Sequence, residues 1–169
     1  ASESTFYRVL RRYGEVSHRG RQEAPQSRPL STWKATGPNQ VWSWDITWLK
    51  SLTAGHWFYL CLTEDVFSRK IVGHEVHPVK SGDYAAELVK RTVLSERCWQ
   101  EPLVLHADNG APMKSQVLQV KLRELMITPS YSRPQVSNDN TYVESLFRTL
   151  KYVPAWPEKG VASLEKARA

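Results

Sequence analysis

Three acidic residues stand at positions where packing gives no reason for an acid. Asp45 lies in the middle of VWSWDITWLK (residues 41–50), and Asp108 ends the apolar run of PLVLHADNG (102–110). Glu144 sits one turn into YVESLFRTLK (142–151). Carboxylates brought together without basic partners repel one another, and each resists ionisation. Such a cluster becomes reasonable when divalent cations occupy it, because hard cations take oxygen ligands and Mg2+ keeps waters that a substrate phosphate can replace. Two such ions, about 3.5–4 Å apart, clamp the attacking and leaving oxygens of an in-line phosphoryl displacement. Each acid also has a plainer reading. Asp45 could be a strand acid facing solvent, Asp108 an Asx-turn former before Asn109–Gly110, and Glu144 an i,i+4 partner of Arg148.

Whether the acids meet depends on the elements that carry them. VWSWDITWLK alternates, with Trp42, Trp44, Ile46 and Trp48 on one face and Ser43, Asp45 and Thr47 on the other. HWFYLCLTEDV (56–66) reads as a second strand ending in a turn at Glu64–Asp65, and RKIVGHEVH (69–77) as a third. Short connections make these an antiparallel meander. The period then switches. SGDYAAELVKRTVLSERC (81–98) has Ser81 as a cap and Tyr84, Leu88 and Val89 at helical spacing. A short strand up to Asp108 follows, then a helix with Leu118, Leu122 and Leu125 in register, then a short extended piece from Thr128.

The last clear element is YVESLFRTLK, read as a helix with Asn138 or Asp139 near its N-cap and an apolar stripe of Val143, Leu146, Phe147 and Leu150. The order β-β-β-α-β-α-β-α predicts an α/β fold, in which crossovers set parallel strands beside the first strand. That arrangement brings Asp45 and Asp108 together, with Glu144 arriving across the same edge.

With 169 residues the chain has room for one domain and a full core. No apolar run approaches the roughly 18 residues of a membrane span, and the start ASESTFYRVL has no signal-peptide pattern. The absence of an initiator Met and the uncapped helix former SLEKARA at the end suggest a piece of a longer protein. Cys61 and Cys98 read as buried free thiols. Of the net charge of +6, most lies in residues 1–40, which hold seven basic groups against three acidic ones. A basic leader on a near-neutral body fits a nucleic-acid tether. Residues 3–13 predict a short helix stopped by Gly14, and 15–40 a linker. The paired His74 and His77 of HEVH fall on opposite faces of a strand; Trp33, Trp42, Trp44, Trp48 and Trp57 could stack on bases, but the strand tryptophans among them read mainly as packing residues.

Between Asp108 and Glu144 lie 35 residues. That gap, together with PNQVWSWDITWL, FYLCLTEDVFSRKIVG, LVLHADNG and SYSRPQVSNDNTYVESLFRTLK, resembles the catalytic core of the retroviral-integrase-like DDE transposases, specifically the orfB-type insertion-sequence transposases. The chain departs from the commoner pattern at Ala107, at NGAPM and at LKY, but not at the three acids.

The resemblance implies an RNase H-like mixed sheet, a three-strand antiparallel meander plus two parallel strands, flanked by helices. It implies a trailing helix of an upstream DNA-binding region at 1–14, a basic linker at 15–40 and an integrase-like catalytic core, truncated C-terminally, at 41–169. Asp45, Asp108 and Glu144 would be the catalytic metal ligands, holding two Mg2+ or Mn2+ ions with substrate. Lys151 would contact DNA, with Arg148 and Asn109 as further candidates. The implied activity is cleavage of transposon ends and 3′-OH strand transfer into target DNA, by a homo-oligomer in the bacterial cytoplasm with no membrane partner. An RNase H-like nuclease without strand transfer, and an inactive DNA-binding scaffold, stay open as alternatives.

Overall fold

The computed structural model describes residues 2–14, 33–133 and 140–169. Its strands are β1 (Val41–Lys50), β2 (Trp57–Asp65), β3 (Ile71–His77), β4 (Leu103–Ala107) and β5 (Ile127–Tyr131). They form one sheet in the order β3-β2-β1-β4-β5, antiparallel from β1 to β3 and parallel from β1 through β4 to β5. The helices are α1 (Glu3–Arg12), α2 (Gly82–Ser95), α3 (Gln116–Glu124), α4 (Thr141–Tyr152) and α5 (Leu164–Arg168). The meander and the crossover beside the first strand are therefore as expected from the alternating and helical periods.

The two faces of the sheet are covered differently. Trp42 and Trp44, both fully buried, pack with Leu103 and Leu105 against Val89 and Val93 of α2 and Leu118 and Leu122 of α3. Burying a tryptophan removes roughly 150–250 Å2 from water, so this pair dominates the larger core. Ser81 caps α2 by accepting from the Asp83 N–H at 3.1 Å. Gly73 on β3 allows the helix its close approach, since a Cβ there would strike the Thr92 side chain. On the opposite face Leu62 meets Val143 and Phe147 of α4, with Leu60, Leu146 and Leu150 at the margin. The stripe read in the sequence is thus the docking face of α4.

Several local expectations are sharpened. Gly14 follows α1 with φ +70, as a helix stop should, and α1 buries none of its residues. Both cysteines are buried and free, and burial pushes the Cys61 thiol up to about 12, which leaves it inert. Asp65 is the turn acid: its carboxylate accepts from the Ser68 N–H at 2.8 Å, the Ser68 hydroxyl at 2.6 Å and the Asn39 N–H at 3.0 Å. Glu64, read with it as a turn residue, instead lies buried and pairs with Arg69 at 3.7 Å. Trp42 and Trp44 are core, but Trp48 and Trp57 are substantially exposed. Trp33 donates its indole N–H to Ser130 on the β5 edge at 2.8 Å.

The start of α4 also differs in detail. Asn138 and Asp139 lie outside the described residues, and the N-cap position is held by Asn140. Its side chain makes no cap bond. It reaches 97 residues back along the chain, pairing with the Ser43 hydroxyl at 2.5 Å and donating to the Trp44 carbonyl at 3.2 Å. Both Ser43 and Asn140 are buried. Asn140→Ala should therefore orphan two buried polar groups and cost about 1–3 kcal/mol. A urea midpoint equal to that of the parent chain would show that these bonds do not hold the helix.

Candidate active site

The parallel pairing of β1 with β4 ends at Trp44↔Ala107. The next residue on each strand is an aspartate. Asp45 and Asp108 thus stand at the same level on neighbouring strands. Since Trp44 and Ala107 point into the larger core, alternation turns both aspartates to the other face. Asp45 is paired across β1–β2 with Leu62, and Leu62 packs under Val143 and Phe147. This is the face that α4 covers, and Glu144 follows Val143 in the first turn of that helix.

Asp45 and Glu144 both have raised carboxyls, and the charge of Asp108 contributes to each. Burial raises the Asp45 carboxyl from 3.8 to about 6. The Ile46 N–H opposes the rise, the charges of Asp108 and Glu144 add to it, and Lys80 opposes it. Glu144, more exposed, is raised by partial burial and then by Asp108. Among the described residues no ion pair joins Glu144 to Arg148, so the plain i,i+4 reading of this helix face is not what α4 adopts.

Asp108 does make the turn that its sequence context suggests. Its Oδ1 accepts from the Gly110 N–H at 2.8 Å, and a Cβ at Gly110 would press on that oxygen. Asp45 Oδ1 accepts from the Ile46 N–H at 2.7 Å. With an oxygen of each aspartate tied locally and all three carboxylates repelling, they share one face and one field rather than a closed cage. Among the described residues no three Asp, Glu, His or Cys side chains stand as a ready metal-binding group. The donor chemistry still fits a hard divalent cation, since it consists of carboxylate oxygens with no thiolate or imidazole among them.

A cavity of about 500 Å3 opens beside the acids, between Asp45 and Thr47 of β1 and Glu144, Phe147, Arg148 and Lys151 of α4. The two cations named from the sequence therefore flank Asp45 and Glu144 on the helix side, while Asp108 does not line this cavity. Asn109 does not join them: its amide donates to the Ser132 carbonyl and ties the loop after β4 to the end of β5. A larger cavity of about 780 Å3 lies between β3 and the C-terminal segment. Its acid, Glu75, is already paired with His77 and Arg91, so it offers no comparable chemistry.

Two supports of the site were not read from the sequence. One is the Ser43–Asn140 tie already described. The other begins at buried Glu64, whose partner Arg69 lies 4.0 Å over the ring of Tyr142 on α4. A bulky aromatic two residues before Glu144 is the single hint, and it is legible only once the turn after β2 is known to reach α4.

Known proteins resemble this chain in sequence and in fold. The family model described as Integrase core domain matches residues 35–137, a span that includes Asp45 and Asp108. The transposase for insertion sequence element IS904 of Lactococcus lactis subsp. lactis (strain IL1403) is 36% identical over 143 residues, covering 81% of this chain and 54% of that protein. Transposase InsF for insertion sequence IS3fB of Escherichia coli (strain K12) is 31% identical over 147 residues, covering 85% and 49%. The chain spans about half the length of the curated relatives it matches.

Among solved structures, a chain of the simian T-cell lymphotropic virus intasome in complex with PP2A regulatory subunit B56 gamma superposes with a TM-score of 0.62. It has 22% identity, with 89% of this chain and 51% of that one covered. The HTLV-2 integrase catalytic core domain in complex with magnesium (dimeric form) gives a TM-score of 0.52 and 20% identity, covering 70% and 71%. The five-stranded mixed sheet with its flanking helices is thus the RNase H-like architecture of integrase catalytic cores. By its matched segment and its fold, this chain belongs to the integrase core domain family.

Proposed function

We propose that this chain is the catalytic core of a DNA transposase, which cuts transposon ends and joins the freed 3′-OH to target DNA by phosphodiester transesterification. The observation that supports the reading is that Asp45 and Asp108 follow the last β1–β4 pair and that the charges of Asp108 and Glu144 reach Asp45, in a chain of the integrase core family. Asp45, Asp108 and Glu144 would be the ligands. Mg2+ or Mn2+ held there would activate the attacking oxygen and neutralise charge on the leaving one.

The rest of the chemistry belongs to the chain itself. Asp45, in mid-β1, and Asp108, just after β4, both follow the last β1–β4 pair, so their spacing is set by backbone hydrogen bonding. Glu144 approaches from a helix whose depth is set by apolar packing. Lys151 and Arg148, on the wall of the same cavity, suit the backbone phosphates of the DNA on either side of the scissile bond. Phe147 and buried Thr47 form the apolar and hydroxyl part of the same cavity wall.

DNA as partner, and a homo-oligomer as the active form, follow by analogy with relatives described as transposases and with neighbours described as dimeric or as an intasome. On this reading α1 ends an upstream DNA-binding region, residues 15–40 tether it, and the core runs from Val41 onward. No helix among the described residues is long and apolar enough to cross a membrane. Action at DNA in the bacterial cytoplasm is part of the same proposal.

The direct test uses the full-length protein with transposon-end duplex, target plasmid and Mg2+ or Mn2+. Asp45→Asn, Asp108→Asn and Glu144→Gln should each reduce joined product on the order of 1000-fold or more while leaving DNA affinity within a few-fold. Undiminished strand transfer by any of the three would sink its assignment.

Acid clustering also predicts a pH effect in the absence of cations. A carboxyl raised to about 6 on folding contributes stability that is complete below the unfolded value of 3.8 and is lost as pH rises through 6. Asp45→Asn should remove that loss, raising Tm at pH 7.5 by roughly 3–6 °C but not at pH 4. Mn2+ should raise Tm of the parent chain at pH 7.5 and not that of the variant. Parallel Tm profiles from pH 4 to 8 would refute the assigned electrostatics.

A further inference from the structure

We propose that Lys80, Trp48 and Trp57 form a second DNA contact beside the carboxylates, with Lys80 on a backbone phosphate and an exposed indole stacked on an unpaired base of the strand entering the site. The inference rests on the transposase reading above.

The geometry that points to it begins with the unequal lengths of two strands. β1 keeps its β2 partner as far as Lys50↔Trp57, but its pairing with β4 stops at Trp44↔Ala107. Residues 45–49 thus extend past the end of β4 as a ledge, up to Val161, whose N–H donates to the Lys50 carbonyl at 2.8 Å and whose carbonyl accepts from the Leu52 N–H at 3.0 Å. One face of the ledge carries Asp45 and Thr47 and looks toward Arg148 and Lys151 on α4. The opposite face carries Trp48, and there a different cation waits. Lys80, in the connection between β3 and α2, lies 4.8 Å from the Trp48 ring centroid and 5.4 Å from that of Tyr59.

The aromatic surface beside Lys80 is unusual for packing. Trp48 is 49% exposed and Trp57 41% exposed. The two rings meet edge to face at 5.6 Å, and Trp48 meets Tyr59 edge to face at 5.4 Å. Edge contacts brace the indoles while leaving ring surface open. No carboxylate among the described residues forms an ion pair with Lys80. A rigid aromatic platform with an available cation, in a chain of net charge +6, has the chemistry that single-stranded nucleic acid selects: π-faces for bases and a positive group for the backbone. Together with Lys151 it would grip the strand from both faces of β1, with the scissile phosphate between them.

The test measures equilibrium binding of the full-length protein to a transposon-end duplex bearing a short unpaired terminus, and to its blunt counterpart, across a salt series. All variants carry Asp45→Asn so that no turnover intervenes. Lys80→Gln should lower the slope of log K against log salt by about 0.7 on the unpaired end, one phosphate contact's worth. Trp48→Leu should weaken binding to the unpaired end roughly 5- to 100-fold, while Trp48→Phe should restore most of it and blunt duplex should be little affected. Trp57→Leu, compared at matched Tm, guards against a folding defect at Trp48. An unchanged salt slope in Lys80→Gln, or equal loss on both substrates, would overturn the proposal and leave Lys80 as a shield over Trp48. The two readings fail separately: parent protein that joins DNA while Lys80→Gln keeps its slope rejects only this contact, and a Lys80-dependent grip on protein that joins nothing rejects only the transposase assignment.

Discussion

Everything at the site depends on holding like charges together. Asp45, Asp108 and Glu144 repel one another, and burial sharpens the repulsion by removing the water that would screen it. Acids on mobile loops would drift apart. Here two of them follow the last rung of a hydrogen-bonded ladder, where neighbouring strands are kept about 4.8 Å apart by their backbones. The third rides on a helix seated by Val143 and Phe147. The energy that gathers the charges comes from hydrogen bonds and apolar burial elsewhere, not from the charges themselves.

An apolar stripe settles which face of α4 meets the sheet, but it tolerates sliding and rolling. Directional contacts remove that freedom. Asn140 bonds to Ser43 and to the Trp44 carbonyl, the two residues immediately before the first aspartate. Arg69 lies between buried Glu64 and the ring of Tyr142, binding the turn after β2 to the same end of the helix. Both devices act within four residues of Glu144. They couple its position to the β1–β2 pair rather than to the connection leading into the helix.

The difference in length between β1 and β4 has consequences on both faces. Because β1 runs on beyond its parallel partner, the residues after Asp45 are reachable from α4 on one side and from the β3–α2 connection on the other. Cations stand on both sides, Arg148 and Lys151 against Lys80. On the proposed reading, a polyanion lying along this ledge would meet positive charge on each flank and acids at the centre.

Much of this was legible in the sequence, and for local reasons. Alternation in VWSWDITWLK placed Asp45 on the face opposite the tryptophans, the Ser81 cap and helical spacing marked α2, and the stripe of YVESLFRTLK defined how α4 docks. Period and capping are properties of a few consecutive residues, so the chain by itself determined the elements, their order and the faces on which Asp45 and Glu144 lie. Only the tertiary structure decided that Glu64 would be buried under Arg69 rather than exposed in a turn, that Asn109 would stitch two loops, and that Trp48 and Trp57 would remain open beside Lys80. Those outcomes depend on contacts such as Ser43 with Asn140, 97 residues apart. Contacts at that range leave no periodic trace, because they are set by how finished elements pack and not by how each one forms.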